Sequence, residues 1–89
     1  MRKIWYETAW EDYLFWQKQD RKTLNRINAL IKDIERGGHS GIGKPEPLKG
    51  ELSGCWSRRI DDCNRLIYRI NGEVLEIVSC KSHYEDIPL

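Results

Sequence analysis

Cys55-Trp56-Ser57-Arg58-Arg59-Ile60-Asp61-Asp62-Cys63-Asn64-Arg65-Leu66-Ile67-Tyr68-Arg69-Ile70-Asn71-Gly72 decides the fold, because its side chains alternate with a period of two. Trp56, Arg58 and Ile60 share one parity, and Cys55, Ser57 and Arg59 the other. After a turn at Asp61-Asp62-Cys63-Asn64, Leu66, Tyr68 and Ile70 alternate with Arg65, Ile67 and Arg69. Successive strand side chains point to opposite faces, so this reads as two antiparallel strands with one face on a core. Asn71-Gly72 is a strong hairpin signal, and Val74 to about Ser82 supplies the next strand. A two-residue loop there sets Arg65 opposite Val78. His83 then lies roughly 16 Å further along, and His83 and Tyr84 point to opposite faces. For both to meet Arg65, the strand must end near Ser82 and the tail must curl back.

Upstream the period changes. His39 to Gly50 is rich in Gly and Pro and reads as a loop. Before it, Leu24, Ile27, Ile31 and Ile34 recur at spacings of three and four, with Leu30 beside them, which predicts one buried helical stripe. Asp20 suits the N-cap of that helix, and Gly37-Gly38 its stop. The opposite face carries Lys22, Arg26, Lys32, Asp33 and Arg36. Thr8-Ala9-Trp10-Glu11 has the form of a capping box. It predicts an earlier helix to about Lys18, with Trp10, Tyr13, Leu14 and Gln17 on its apolar face and Ala9 and Trp16 at the margins. Ile4, Trp5 and Tyr6 suit a short first strand. The order β-α-α-β-β-β predicts an α+β domain: two N-terminal helices, as an αα-hairpin, on a mainly antiparallel, twisted sheet.

The 89 residues allow one small domain. Four Trp and four Tyr add buried area to a core of that size, and Trp5, Trp10, Tyr13 and Trp16 read as packing. A net charge of +1 argues nothing alone. Between Lys44 and Lys81 seven Lys/Arg face six acids, a modest local excess. Cys55, Cys63 and Cys80 fit no zinc or redox spacing and read as reduced, largely buried thiols of a cytoplasmic protein. No apolar run follows the charged N-terminus, which reads against a signal peptide or membrane span.

The remaining candidates carry chemistry. Glu46 stands between Pro45 and Pro47, which restrict the backbone around its carboxylate. Lys44 and Lys49 flank it. A free glutamate, with pKa about 4.3, is a weak base, and adjacent lysines weaken it further, so burial against a substrate must raise it; alternatively the cluster binds phosphate. Arg65, just after a turn and facing away from Leu66 and Tyr68, can grip a phosphate with a planar fork. His83 can exchange a proton near neutral pH, and Tyr84 can stack or donate a hydrogen bond. Each of these is also what an ordinary surface residue looks like. As a set, a carboxylate, cations, an imidazole and a phenol are the groups needed to cut RNA without a metal.

Gly43-Lys44-Pro45-Glu46-Pro47-Leu48-Lys49, Leu52-Ser53-Gly54-Cys55-Trp56-Ser57-Arg58-Arg59-Ile60, Arg65-Leu66-Ile67-Tyr68 and Cys80-Lys81-Ser82-His83-Tyr84 together resemble the YoeB/Txe branch of the RelE/ParE toxin superfamily. The resemblance runs from Lys3 to Tyr84, nearly the whole chain, and implies one RelE-like domain over residues 1–84. It implies a type II toxin that is a ribosome-dependent, metal-independent mRNA interferase without cofactor. In that scheme Glu46 is the general base and Arg65 stabilises phosphate charge. His83, helped by Tyr84, is the general acid, and Lys44, Lys49, Arg58 and Arg59 hold RNA. It further implies a YefM/Axe-like antitoxin whose C-terminal segment folds on the toxin, with operator DNA reached only through that complex. Relatives form homodimers, which these residues alone do not dictate. Glu85-Asp86-Ile87-Pro88-Leu89 follows the His-Tyr pair as a short extension. Its acids would either raise the His83 pKa or repel mRNA. The alternative reading is a non-catalytic poison or binding module on the same fold, directed at gyrase or DNA.

Overall fold

The computed structural model describes residues 1–82. Strand β1 (Arg2–Trp5) leads into α1 (Glu7–Gln19) and α2 (Arg21–Gly37); β2 (Glu46–Pro47), β3 (Trp56–Arg59), β4 (Arg65–Asn71) and β5 (Val74–Ser79) follow, with a 3-10 turn at Gly50–Leu52. The sheet order is β1-β5-β4-β3-β2. The β2–β3, β3–β4 and β4–β5 pairs are antiparallel, and β1 runs parallel to β5. The α+β architecture expected from the sequence is therefore present, with β2 added inside the stretch read as a loop.

Helix α2 forms as its stripe predicts. Asp20 Oδ1 accepts from the amides of Lys22 (3.1 Å) and Thr23 (3.3 Å), satisfying donors that a helix start leaves free. Leu24, Ile27, Leu30, Ile31 and Ile34 are buried, each worth roughly 1.5–3 kcal/mol on full burial. Ile27, Leu30, Ile31 and Ile34 meet Leu66, Tyr68, Leu75 and Ile77 of the sheet in one core. Gly38, at φ 64°, ends the helix in a backbone region that glycine enters without a Cβ clash.

Helix α1 is rotated from the expected face. Trp10 and Leu14 are 44% and 42% exposed, and Gln17 is exposed too. The docking seam is Ala9, Asp12, Tyr13 and Trp16, a helical i, i+3, i+4, i+7 set. Ala9 is buried. Asp12 Oδ2 accepts from Ser79 Oγ (3.2 Å) and the Cys80 amide (3.0 Å). Tyr13 donates to Asn28 Oδ1 at 2.8 Å, and Trp16 Nε1 to the Cys80 carbonyl at 2.8 Å. A seam that includes a carboxylate does not show as apolar periodicity. The capping box does not form either: Tyr6 is the N-cap, with no side-chain cap bond. The Tyr6 amide donates to Ile77 O at 2.9 Å, so the chain turns directly from the parallel strand into the helix.

The last hairpin also differs. Asn71 pairs with Val74, so the turn is Gly72-Glu73 rather than Asn71-Gly72. Ile67 faces Ser79 while Tyr68 faces Ile77, which leaves Val78 as the extra residue of a bulge. Both changes shift the register in the same direction. Arg65 does not pair with Val78; its amide donates to Ser82 O at 3.1 Å. All three cysteines are free, but only Cys80 is buried, Cys55 being half-buried and Cys63 exposed.

Candidate functional site

Strand register decides which side chains share a face. Pro47, Trp56, Arg58, Leu66 and Tyr68 belong to the face under the helices. Glu46 pairs with Ser57, Ser57 with Ile67, and Arg59 with Arg65. Side chains directly opposite in an antiparallel pair lie on one face, so Glu46, Arg59 and Arg65 rise from the face away from the helices. Ser57 and Ile67 form a buried floor between them. With strands about 4.8 Å apart and same-face neighbours about 7 Å apart, the Cα atoms of Glu46 and Arg65 are roughly 12 Å apart. A phosphodiester fits between two side chains reaching in from that spacing.

Edge strand β2 is short because Pro45 and Pro47 lack amide donors. Beyond it the Leu48 amide donates to Cys55 O at 2.9 Å, and Leu48 is buried. The exposed Glu46 is thus held in an anchored segment. Glu46, Pro47, Leu48 and Lys49 line a cavity of about 280 Å³. Lys44 is exposed with φ 51°, a left-handed conformation unusual for a lysine.

Arg65 is half-buried, and its Nη1 donates to Asp61 O (2.7 Å) and Asn64 O (3.1 Å), which fixes the guanidinium beside the β3–β4 turn. That turn is internally braced: Asp61 Oδ1 accepts from the amides of Cys63 (2.8 Å) and Asn64 (2.7 Å). The same turn holds the end of the described chain, since the Ser82 amide donates to Asn64 Oδ1 at 2.6 Å. Ser82, at φ 69°, directly precedes His83 in the sequence. His83 and Tyr84 themselves lie outside the described residues.

Arg58, expected to hold RNA, is placed otherwise. It has no exposed surface. Its Nη1 reaches Asp33 Oδ2 (2.5 Å) and Ile42 O (3.0 Å), its Nη2 reaches Gly38 O (2.6 Å) and Ser40 O (3.3 Å), and its Nε reaches Tyr68 Oη (3.3 Å). Its hydrogen-bonding capacity is spent inside the protein, which removes it from the RNA-facing set. The hydrogen bond from Arg58, first, and that from the Ile42 amide hold the Asp33 carboxyl below the ordinary carboxylate range. The parity shared with Trp56 and Ile60 was the available signal for an inward Arg58. Sequence reasoning did not single out His39 as part of this cluster. The His39 ring stacks on Trp56 at 4.0 Å between centroids and 7° between planes, and its Nδ1 lies 3.4 Å from Tyr68 Oη.

Among the described residues no three His, Cys, Asp or Glu side chains converge as a metal site requires, and no helix is long and apolar enough to cross a membrane.

The model of the YoeB-like toxins of bacterial type II toxin–antitoxin systems matches residues 5–84. The chain belongs to this family. Toxin YoeB of Streptomyces coelicolor is 54% identical over 84 residues, covering 94% of this chain and 100% of that one. The YoeB/ParE toxin from Agrobacterium tumefaciens superposes with a TM-score of 0.92 at 44% identity, over 94% of this chain and 100% of that chain. A YoeB chain in the heterotetrameric YoeB–YefM toxin–antitoxin complex from Staphylococcus aureus superposes at 0.88 with 44% identity, over 94% and 98%. As a YoeB-like toxin, the chain has a toxin's role in a type II toxin–antitoxin system, and its RelE-like fold agrees with these neighbours.

Proposed function

We propose that this toxin cleaves mRNA in the ribosomal A site by attack of a ribose 2′-OH on the adjacent phosphodiester, and so inhibits translation. Glu46 removes the 2′-OH proton. The 2′-oxygen bonds to phosphorus, the bond to the 5′-oxygen breaks, and a 2′,3′-cyclic phosphate remains. Arg65 offsets the charge that grows on the phosphate. His83, with Tyr84, protonates the departing 5′-oxygen, a role that rests on family resemblance. Arg59, Lys44 and Lys49 hold the RNA backbone. The observation that carries this reading is the shared face of Glu46, Arg59 and Arg65 over the Ser57–Ile67 floor. The modest basic surface fits a reaction in which the ribosome positions the substrate, since positioning alone can supply roughly 7–11 kcal/mol.

Single-turnover cleavage on mRNA-programmed ribosomes tests this. Glu46→Ala and His83→Ala should each lower the rate by about 10²- to 10⁴-fold, and Arg65→Ala by about 10²- to 10³-fold. Unchanged rates in all three remove the mechanism, and gyrase inhibition with intact mRNA would assign the protein to the non-catalytic branch. By analogy with the Staphylococcus aureus complex, a YefM-like antitoxin is the partner that should silence this cleavage, in the cytoplasm where the ribosomes are.

A further inference from the structure

We propose that buried Arg58 is a positioning residue for Glu46, acting through the loop that its guanidinium holds. This rests on the reading of Glu46 as the general base. Gly38, Ser40 and Ile42 all aim their carbonyl oxygens at Arg58. Asp33 closes the ring from the other side, because its Oδ2 accepts both from Arg58 and from the Ile42 amide at 3.0 Å. Residues 38–42 therefore wind around one cation that is itself fixed to β3 and α2.

The next residues transmit that geometry to Glu46. Gly43, at φ 83°, passes so close that a Cβ there would lie 2.8 Å from Leu30 Cδ2 and 3.2 Å from Arg58 Cβ. Its carbonyl accepts from the Arg59 amide at 2.7 Å. Lys44 and Pro45 follow, and Glu46 then joins the sheet edge opposite Ser57, the residue before Arg58 on β3. Strand β2 is two residues long, and Pro45 and Pro47 give it no amide donors. So short a pairing cannot set the carboxylate by itself. The loop fixed by Arg58 holds it from the N-terminal side, and the Leu48–Cys55 bond holds it from the other. A displacement of about 1 Å at a reacting group can cost about 10²-fold in rate, so an anchor that never touches RNA can control the chemistry.

The test is a double-mutant cycle between Arg58→Lys and Glu46→Ala, read as single-turnover cleavage on programmed ribosomes, with folding and ribosome binding measured on each protein. Lysine keeps the charge but cannot hold three carbonyls and a carboxylate with a planar fork. Arg58→Lys should lower the cleavage rate by about 10- to 10²-fold in the otherwise native chain, with ribosome affinity unchanged. In the Glu46→Ala background the same change should alter the rate by less than about 3-fold, because the group being positioned is gone. Amide hydrogen exchange should accelerate over residues 39–46. Equal losses in both backgrounds, or a loss explained by weaker ribosome binding, overturn the inference. If Glu46→Ala alone leaves the rate unchanged, the assignment of the base fails instead, which is a separate result. Should the lysine variant not fold, Asp33→Asn keeps the shape and the acceptor oxygen and loosens the ring more gently. It must show the same dependence on Glu46, and a background-independent effect overturns the inference equally.

Discussion

Arg58 and Arg59 are neighbours on β3, yet Arg58 has no exposed surface and Arg59 stands exposed on the other face. The helix-covered face uses its arginine as a hub for carbonyls and a carboxylate, and the far face carries the exposed Arg59 and the half-buried Arg65 on the same side of the sheet as Glu46. A cation under the helices is tolerated because every donor is matched; unmatched, a buried charge costs several kcal/mol. The contrast separates two tasks that alternate residue by residue along one strand. Arg58 ties α2 and the following loop to the sheet, and on the proposed function Arg59 meets the RNA backbone.

The sharpest way to break this contrast is to truncate both arginines. Arg58→Ala should destabilise the fold by about 3–5 kcal/mol, because it leaves Asp33 and the loop carbonyls without their partner. Arg59→Ala should stay within about 0.5 kcal/mol, as surface substitutions do, and should instead weaken cleavage on ribosomes. Urea denaturation of the two variants checks this, and equal midpoints would erase the distinction between the faces.

A second test compares the helices. Ile27→Ala on α2 should cost about 2–5 kcal/mol, through lost burial and a cavity in the core. Leu14→Ala on α1 should stay within about 0.5 kcal/mol, since Leu14 is exposed. A large loss at Leu14 in the isolated toxin would mean that this face of α1 is covered in solution.

These differences follow what a linear pattern can carry. Helix α2 was legible because its stripe is purely apolar, with a cap at Asp20 and a stop at Gly37-Gly38. Helix α1 was legible as a helix, but its buried face was not, because its seam contains Asp12 and Trp16, whose contacts are hydrogen bonds to Ser79 of β5 and to Cys80, while the conspicuous Trp10 and Leu14 face outward. The alternation of β3 and β4 was legible, and it puts Arg59 and Arg65 on one face; Glu46 joins that face only through the β2–β3 pairing. Strand β2 was hidden because two residues between prolines have no period. The register of the last hairpin lies three positions from the one that alternation and Asn71-Gly72 predict. The turn moved one residue along, and the bulge at Val78 shifted the strand again, neither of which alternation can reveal. That difference matters for the site, since the corrected register brings Ser82 onto the Arg65 amide.

The gentlest comparison sets His39, itself exposed, against the buried Arg58 beside it. Burial, first, and the nearby Arg58 cation hold its pKa below the ordinary value. It faces Trp56, Tyr68 and Arg58, none of which gains a charge near neutral pH. A histidine with a lowered folded-state pKa binds fewer protons folded than unfolded, so stability rises with pH across its window. Its contribution should be complete above about pH 6.5, the unfolded value, and should fade as pH falls through the lower folded value. The carboxyls of Asp20, Asp33 and Asp61, also held below their ordinary range, act only in more acidic solution. Two separate acid-side losses should therefore appear when the urea midpoint is followed from pH 8 downward. His39→Gln should remove the one nearer neutrality and leave the other in place. An unchanged profile in that variant would mean that the imidazole stacked on Trp56 titrates as it does in an unfolded chain, and that the charge of Arg58 is not felt outside its own ring of oxygens.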